Sequence, residues 1–521
     1  MIEKQKRDRY EMHKYWGKKP SSDLKVLIEK FSSEGDTILD PFSGYGVFCC
    51  EAYLLNRNVI SNDLNPIANF INKQLLSKDF DLKKLEKEWS LIKEAFIPYV
   101  NNWYQLKLGK ESVQLINVLR DNNDLPIKGR YKGSDSNKIQ EITFTKSQVA
   151  NYIKFENDQE IKDWYPTVEL IENSRISAKK GMTVAGLFTK RTLACHAKLL
   201  GLIESMSSGN EKDLFKLAFT ANLANCSKLV PPIKTRGDMS QGAWMTGFYI
   251  GETYLENNVL QYFENRFYKI VKGKKDYLKF FENSLFANNS HSFSVTQYDA
   301  KDLKIASESI DYIFTDPPYG DAVPYFEQSI IWNSWLKVSP NYKDEIVISD
   351  SKSRGKNTSS FELGINEAFS EIRRVLKLGG YFSLTYHSLS GLEWKAITNA
   401  CIQNGFEMID FNWLVQKTFT PRQINRSKSI KGDVLVTFEK VPSITSIHLD
   451  ETQTKELFID QIEGWLEHEL LDTNEIFMRI MKTIFQKKII IGQIDLLDVL
   501  LKNFKFEKNQ TWSLLHSAVS I

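Results

Sequence analysis

Cysteine is scarce in this chain. Five residues, Cys49, Cys50, Cys195, Cys226 and Cys401, occur among 521, and no two of them form a C-x-x-C pair. Neither a zinc ribbon nor a disulfide framework is therefore expected, and the scatter suits a reducing compartment. A surplus of one charge is missing as well. Lysine and arginine number 68 against 65 acidic residues, a net charge of +3. That is too small for the whole chain to act as a polycation, so any basic surface must be local. No apolar run approaches the ~20 residues of a membrane span. The opening MIEKQKRDRYEMHK is too charged for a secretion signal. The expectation is a soluble, cytoplasmic protein with no membrane partner. With 42% hydrophobic and 26% charged residues, the composition is that of a globular chain long enough for two or three domains.

What is present centres on Ser309 to Asp321, S-I-D-Y-I-F-T-D-P-P-Y-G-D. Ile310, Tyr312, Ile313 and Phe314 form an apolar, β-branched and aromatic run that predicts a buried strand. Pro317 and Pro318 can neither continue a ladder nor sit in a helix interior, so the chain must leave the sheet as a stiff loop. Asp316, the proline carbonyls and Tyr319 are then presented together at the carboxyl end of a strand. Open α/β sheets bind ligands there.

A second strand-to-loop exit lies nearer the N-terminus. Thr37 to Asp40 predicts a strand, Pro41-Phe42-Ser43-Gly44-Tyr45-Gly46 a loop, and Val47 to Leu55 a helix. Gly44 and Gly46 permit a tight turn and close approach of backbone to a ligand. The pattern is not the full G-x-G-x-x-G fingerprint, and no Lys-Ser/Thr follows to make a phosphate loop. The next strand, Asn58 to Ser61, ends at Asn62-Asp63. Asp63 stands 23 residues after Asp40, where a ribose-binding acid belongs. Pro66 to Leu76 predicts a helix with proline in its first turn.

Roughly two hundred residues of other material follow. Leu82 to Trp103, Leu187 to Met206 and Leu214 to Leu229 predict helices. Residues 104–183 are polar, with short strand-like pieces such as Glu141 to Thr145. His196 is expected to be packed, because no second ligand sits at a matching offset, and no metal is expected. Arg191 is expected to be a solvated charge. Alternation then resumes: strand Ser292–Tyr298 ending at Asp299, the Ile310–Phe314 strand, helix Phe326–Leu336, helix Phe361–Leu376 closed by Gly379-Gly380, strand Tyr381–Tyr386, helix Leu392–Gln403, and strands Phe406–Val415 and Asp433–Glu439. Two segments are basic, Lys352 to Lys356 and Pro421 to Lys428. From about Ser443 the pattern turns helical.

The fold expected is α/β, a doubly wound, Rossmann-like sheet with a large inserted region and a small C-terminal helical domain. Its boundaries are 1–76 and 291–440 for the catalytic domain, 77–290 for the insertion and 441–521 for the helical domain.

D-P-P-Y at 316–319 and D-P-F-x-G-x-G at 40–46 resemble the amino-group methyltransferases that use S-adenosylmethionine, chiefly the DNA N6-adenine enzymes. His13 to Pro20 is similar to the H-x-x-W-x-x-K/R-P opening of a group of large bacterial DNA methylases. The resemblance implies a methyltransferase sheet, S-adenosylmethionine as cofactor and double-stranded DNA as substrate. It implies cofactor contacts from Tyr15, Trp16, Lys18, Asp40, Pro41, Phe42, Gly44, Gly46 and Asp63, with Asp299, or else Asp302, at the adenine.

In the catalytic loop of Asp316, Pro317, Pro318 and Tyr319, the Asp316 carboxylate and Pro317 carbonyl would hold the two amine hydrogens while Tyr319 stacks on an extruded base. Direct transfer needs no covalent enzyme intermediate. The absence of a Pro-Cys dipeptide argues against a cysteine-nucleophile cytosine-C5 enzyme. DNA contacts are expected from Lys352, Arg354, Arg422, Arg426 and Lys428, and from the insertion. The insertion precedes the third strand, a departure that leaves the usual placing of target recognition open.

Aspartate at 316 favours adenine over N4-cytosine. A tRNA guanine-N2 methyltransferase shows similar loops but carries an N-terminal RNA-binding domain, and 36 residues precede the first strand here. A non-catalytic DNA-binding subunit is a further alternative, opposed by two intact loops. A separately encoded restriction endonuclease or defence-system subunit is a partner the resemblance leaves open.

Overall fold

A computed structural model of the protein describes residues 7–109, 111–132, 138–205, 209–282, 291–386, 391–414 and 433–515. The chain divides into two compact units, neither continuous in sequence. One comprises residues 19–64, 290–323 and 343–521; the other comprises 1–18, 65–289 and 324–342.

The first unit is built on a seven-stranded sheet. In chain order its strands are β1 (Thr37–Asp40), β2 (Asn58–Asn62), β3 (Phe293–Thr296), β4 (Ile310–Thr315), β5 (Leu376–Tyr386), β6 (Phe406–Leu414) and β7 (Asp433–Lys440). They lie in the order β6-β7-β5-β4-β1-β2-β3. β1 to β5 run parallel, whereas β7 is antiparallel to both of its neighbours. This is the doubly wound, Rossmann-like sheet the alternation implied. Strand order reverses between β1 and β4, which places a crevice at their carboxyl ends. Both strands are covered on both faces: Ile38, Leu39, Ile310, Tyr312 and Ile313 are fully buried. Their continuous apolar runs reflect that double cover.

Two expectations about this unit are corrected. Gly379-Gly380 does not close the preceding helix, which ends at Val375 and passes directly into β5. The glycines lie instead in an irregularity of β5, where Leu376 pairs with Ile310 but Tyr381 pairs with Tyr312. A Cβ on Gly380 would sit 2.9 Å from the Lys377 carbonyl oxygen and 3.0 Å from that of Asp311, so only glycine fits. Nor is the C-terminal segment a separate helical domain. Its helices Glu451–Leu466, Thr473–Lys487 and Leu496–Asn503 begin at Asp450, Asp472 and Asp495, whose carboxylates accept first-turn amides. Short strands join them. Phe458, Ile462, Phe477, Ile480 and Ile484 belong to the same buried cluster as Ile313, Phe382 and Val436. Phe458 stacks on Trp394 at 5.8 Å, and Phe485 meets Phe438 at 5.1 Å. The amphipathic helices bury their stripes on the sheet's own helices and strands, because three short helices alone enclose too little apolar surface.

The second unit holds helices Pro66–Leu76, Leu82–Tyr104, Lys190–Glu204, Asn210–Leu223, Val259–Glu282 and Tyr325–Asn333. The helices at 66–76 and 325–333 thus group with the insertion rather than with the sheet. Buried hydrogen bonds tie them: Asn65 Nδ2 donates to Ser329 Oγ at 3.0 Å, and Asn333 Nδ2 donates to Asn65 Oδ1 at 3.0 Å. The polar stretch after Tyr104 opens with the strands Gln105–Leu108, Glu111–Asp121, Pro126–Lys132 and Ile139–Thr143, which Thr253–Asn257 joins in a five-stranded antiparallel sheet. Arg191 is buried rather than solvated, paired with Glu256 at 3.0 Å, while Arg120 joins Glu156 at 2.6 Å and Glu256 at 2.8 Å. His196 is packed, its Nδ1 2.7 Å from the Thr192 carbonyl. No helix among the described residues is long and apolar enough to cross a membrane.

The shared core sets a stability expectation. Phe458→Ala should lower the unfolding free energy by about 3–5 kcal/mol, whereas Leu470→Ala, at an exposed site in the same segment, should change it by less than about 0.5 kcal/mol. Denaturant titration checks both, and a separate early transition confined to the last three helices would show that their core is their own.

Candidate active site

The carboxyl end of the sheet collects acids. β1 ends in Asp40, β2 runs into Asp63, β4 into Asp316 and β5 into Thr385-Tyr386, while β7, of opposite direction, starts there with Asp433. Every parallel strand exposes its last residues on this side, so the topology alone gathers them.

Asp316 follows the last residue of β4. Its Oδ1 accepts a hydrogen bond from Thr385 Oγ1 at 2.9 Å and another from the Tyr319 hydroxyl. The Lys19 ammonium stands 3.1 Å from the same oxygen. Lys19 also donates to Asp433 Oδ2 at 2.9 Å and to the Tyr319 hydroxyl at 3.1 Å. All three contacts on Asp316 fall on Oδ1, and no donor among the described residues reaches Oδ2. Burial raises the Asp316 carboxyl above the usual range; Lys19 and the Tyr319 hydrogen bond oppose that shift, and the nearby Asp433 charge adds to it. Burial works against the charged form of Lys19, but Asp316 and Asp433 together hold it above the ordinary lysine value.

Tyr319 lies edge-on to Tyr386, with centroids 6.0 Å apart. Gly320, at φ +57°, closes the loop in a left-handed conformation, and a Cβ there would meet the Glu393 carboxylate at 2.7 Å.

The glycine loop is drawn together by its own backbone. Gly44 and Gly46 have φ of 51° and 82°. Ser43 N donates to the Asn62 carbonyl at 2.9 Å, Gly46 N to the Ser43 carbonyl at 2.7 Å, and Gly44 N to Asp63 Oδ2 at 2.8 Å. Asp40 Oδ1 accepts from Phe42 N at 3.1 Å. Burial holds Asp40 well above the usual carboxylate range, and the charges of Asp63 and Asp316 add to the shift.

Asn62 is the hub beneath this loop. Its Nδ2 donates to the carbonyls of Pro41 at 3.1 Å and Tyr298 at 2.9 Å. Its Oδ1 accepts from Thr296 Oγ1 at 2.8 Å and Tyr298 N at 2.9 Å. One fully buried amide thereby registers the exits of β1, β2 and β3. Asp299, just beyond, holds Lys301 N at 3.0 Å through Oδ1 and the Lys301 ammonium at 3.3 Å through Oδ2. Asp302, the alternative at this point, is exposed and paired with Lys304.

Not every expected site residue joins this group. Tyr15, Trp16 and Lys18 belong to the second unit. Tyr15 and Trp16 pack with Tyr325 and Trp332 there. Lys18 turns its ammonium onto the carbonyls of Tyr10 and His13 at 2.8 and 2.7 Å, and burial lowers it to about 7. The arm's lysine beside the acids is Lys19. The H-x-x-W-x-x-K/R-P spacing from His13 and Pro20 selects it, and that was the signal to read. Arg354 is also corrected: its guanidinium is buried against Glu345 and offers no surface cation, because an unpaired glutamate there would be costly. Lys352 is exposed. Arg422, Arg426 and Lys428 lie outside the described residues. Asn62, Thr385 and Asp433 had no motif to mark them, since each becomes part of the site only through strand adjacency.

A family model described as DNA methylase matches residues 2–73, the segment holding the arm, the glycine loop and Asp63. No curated protein matches the chain. Among solved structures, the chain is similar to a S-adenosylmethionine-dependent methyltransferase of Methanosarcina mazei at 11% identity, over 32% of this chain and 76% of that one, with a TM-score of 0.18. It is similar to a Thermus thermophilus protein proposed as a DNA modification methylase, solved with S-adenosyl-L-methionine, at 12% identity over 33% of this chain and 62% of that one, TM-score 0.18. The geranyl diphosphate C-methyltransferase of Streptomyces coelicolor aligns at 12% identity over 32% and 58%, again with a TM-score of 0.18. The chain thus spans less than two thirds of the latter two. Scores at this level carry nothing about function, which rests on the residues.

The hub role of Asn62 is directly measurable. Asn62→Ala leaves two carbonyls, a hydroxyl and an amide without their partner, so the unfolding free energy should fall by about 2–4 kcal/mol in a denaturant titration. A change under about 0.5 kcal/mol would remove Asn62 from that role.

Proposed function

We propose that the sheet unit transfers a methyl group from S-adenosylmethionine to the N6 amine of adenine in double-stranded DNA. The observation that carries this reading is the one-sided anchoring of Asp316, with Oδ1 held by Lys19, Tyr319 and Thr385 and Oδ2 left without a donor among the described residues. An exocyclic amine is a poor nucleophile because its lone pair is delocalised into the ring. A carboxylate oxygen that draws on one N–H favours the pyramidal nitrogen that can attack. The Pro317 carbonyl is the second acceptor, and Tyr319 offers a ring for stacking.

The residues of the glycine loop suit the cofactor. Left-handed Gly44 and Gly46 let backbone approach a ligand closely. Ser43 Oγ is buried with no hydrogen-bond partner among the described residues. Asp63 stands beside the loop at the tip of β2 for ribose hydroxyls, and Asp299 follows β3 for the adenine edge. When bound, the cofactor would supply a sulfonium-activated methyl group, and the amine that accepts it would give up one proton. In this reading Asp316 Oδ2 takes that proton. DNA as the substrate is supported by the DNA methylase model over residues 2–73. Adenine rather than cytosine is favoured by aspartate at 316, and the insertion, with its own antiparallel sheet, is the candidate for target recognition.

Incubation with isotopically labelled S-adenosylmethionine and double-stranded DNA, followed by nucleoside mass spectrometry, should yield N6-methyldeoxyadenosine. N4-methyldeoxycytidine would reassign the base, label only in tRNA would overturn the substrate, and binding of DNA without any transfer would favour a non-catalytic subunit. Asp316→Ala should slow transfer by at least about 100-fold, the scale of losing one aligned electrostatic group, with cofactor Kd unchanged. Asp63→Ala should give the opposite pattern, since two charge-assisted hydrogen bonds worth about 3 kcal/mol correspond to a Kd raised roughly 100-fold. Isothermal titration calorimetry beside the rate assay separates the two roles.

A further inference from the structure

We propose that Lys19 is the positioning residue of the transfer step, an ammonium held by Asp433 that fixes Asp316 through Oδ1 and so presents Oδ2 to the amine. This rests on the reading of Asp316 as the amine acceptor and adds a residue that no part of the D-P-P-Y loop supplies. Three observations carry it. The Lys19 ammonium is within 3.1 Å of Asp316, Asp433 and the Tyr319 hydroxyl alike, so it is located by three groups rather than one. Its side chain and both carboxylates are largely withdrawn from solvent, where an unscreened pair is worth far more than at the surface. Lastly, Lys19 is followed by Pro20, and the helix Ser21–Phe31 starts at once, so the lysine's backbone cannot drift.

Among the described residues, the titratable neighbours of Asp316 come from four elements. Lys19 precedes the 21–31 helix, Asp40 ends β1, Asp433 begins β7 and Tyr319 lies in its own loop, while β5 contributes the neutral Thr385. Lys19 is the one cation among them. Burial and the Asp433 charge favour protonation of Asp316, which would abolish its role as acceptor. Lys19 opposes both.

The sign of the pH effect follows. Asp316 must be ionised to accept the amine hydrogen, and removing Lys19 raises the pH at which it ionises. In single-turnover assays across pH, Lys19→Met should therefore move the acid limb of the rate to higher pH. At neutral pH it should slow transfer about 10- to 100-fold, with partial recovery as pH rises and cofactor Kd within about twofold of wild type. Lys19→Arg, which keeps the cation, should retain the wild-type limb.

Thermal melting of the same proteins gives a readout independent of activity. The Tm deficit of Lys19→Met should be largest at neutral pH and shrink as pH falls and Asp316 becomes protonated. In an Asp316→Asn background that pH dependence should weaken. A wild-type acid limb in Lys19→Met, or a rate loss and Tm deficit equal at every pH, would overturn the proposal. A wild type that leaves DNA unlabelled rejects the substrate reading alone, and the melting series still decides on Lys19.

Discussion

A carboxylate buried at the end of a strand must be compensated, and the region around Asp316 is organised by that requirement. Left alone, Asp316 would be pushed toward its protonated form by burial. Lys19 compensates it, but one ammonium beside one acid would be free to swing. Asp433 on the far side and the Tyr319 hydroxyl fix it in place. The strand order makes this arrangement possible. β5 brings Thr385 next to β4, and the reversed β7 puts its first residue, rather than its last, at the same end of the sheet.

The glycine loop solves a different problem. A tight glycine-containing turn has few side chains of its own to pack, so its shape must be set from below. Asn62, at the end of β2, does this with four hydrogen bonds to the exits of β1 and β3, and Asp63 adds one to Gly44. The positive φ values of Gly44 and Gly46 are then held by contacts outside the loop.

The C-terminal segment is tied to this machinery by burial. Its helices cover the sheet's outer helix and the β6–β7 end, with Trp394, Phe438, Phe458, Phe477 and Phe485 in one cluster. β7 carries Asp433 at its start and Phe438 near its end. Support for the core and support for the acid pair therefore run along one strand.

Local chemistry was enough to determine much of this from sequence. An apolar run broken by two prolines reads as a strand leaving a sheet, and a glycine-rich turn between strand and helix with an acid one strand later reads as the first crossover of a doubly wound sheet. Asp40, Gly44, Gly46, Asp63 and Asp316 follow from such reasoning because each is defined by its position on its own strand, whereas Asp299 was marked by the family resemblance. What sequence could not show depends on which strands become neighbours. Thr385 and Asp433 reach Asp316 only because β4, β5 and β7 are adjacent. Lys19 is the exception, because the H-x-x-W-x-x-K/R-P spacing already selects it over Lys18. Gly380 looks like a helix stop until the Asp311 carbonyl is seen beside it, and the last helices look like a domain until their stripes are found on the sheet's core. Hydrogen bonds and burial between distant residues leave no periodicity in the chain, and only the tertiary structure decides them.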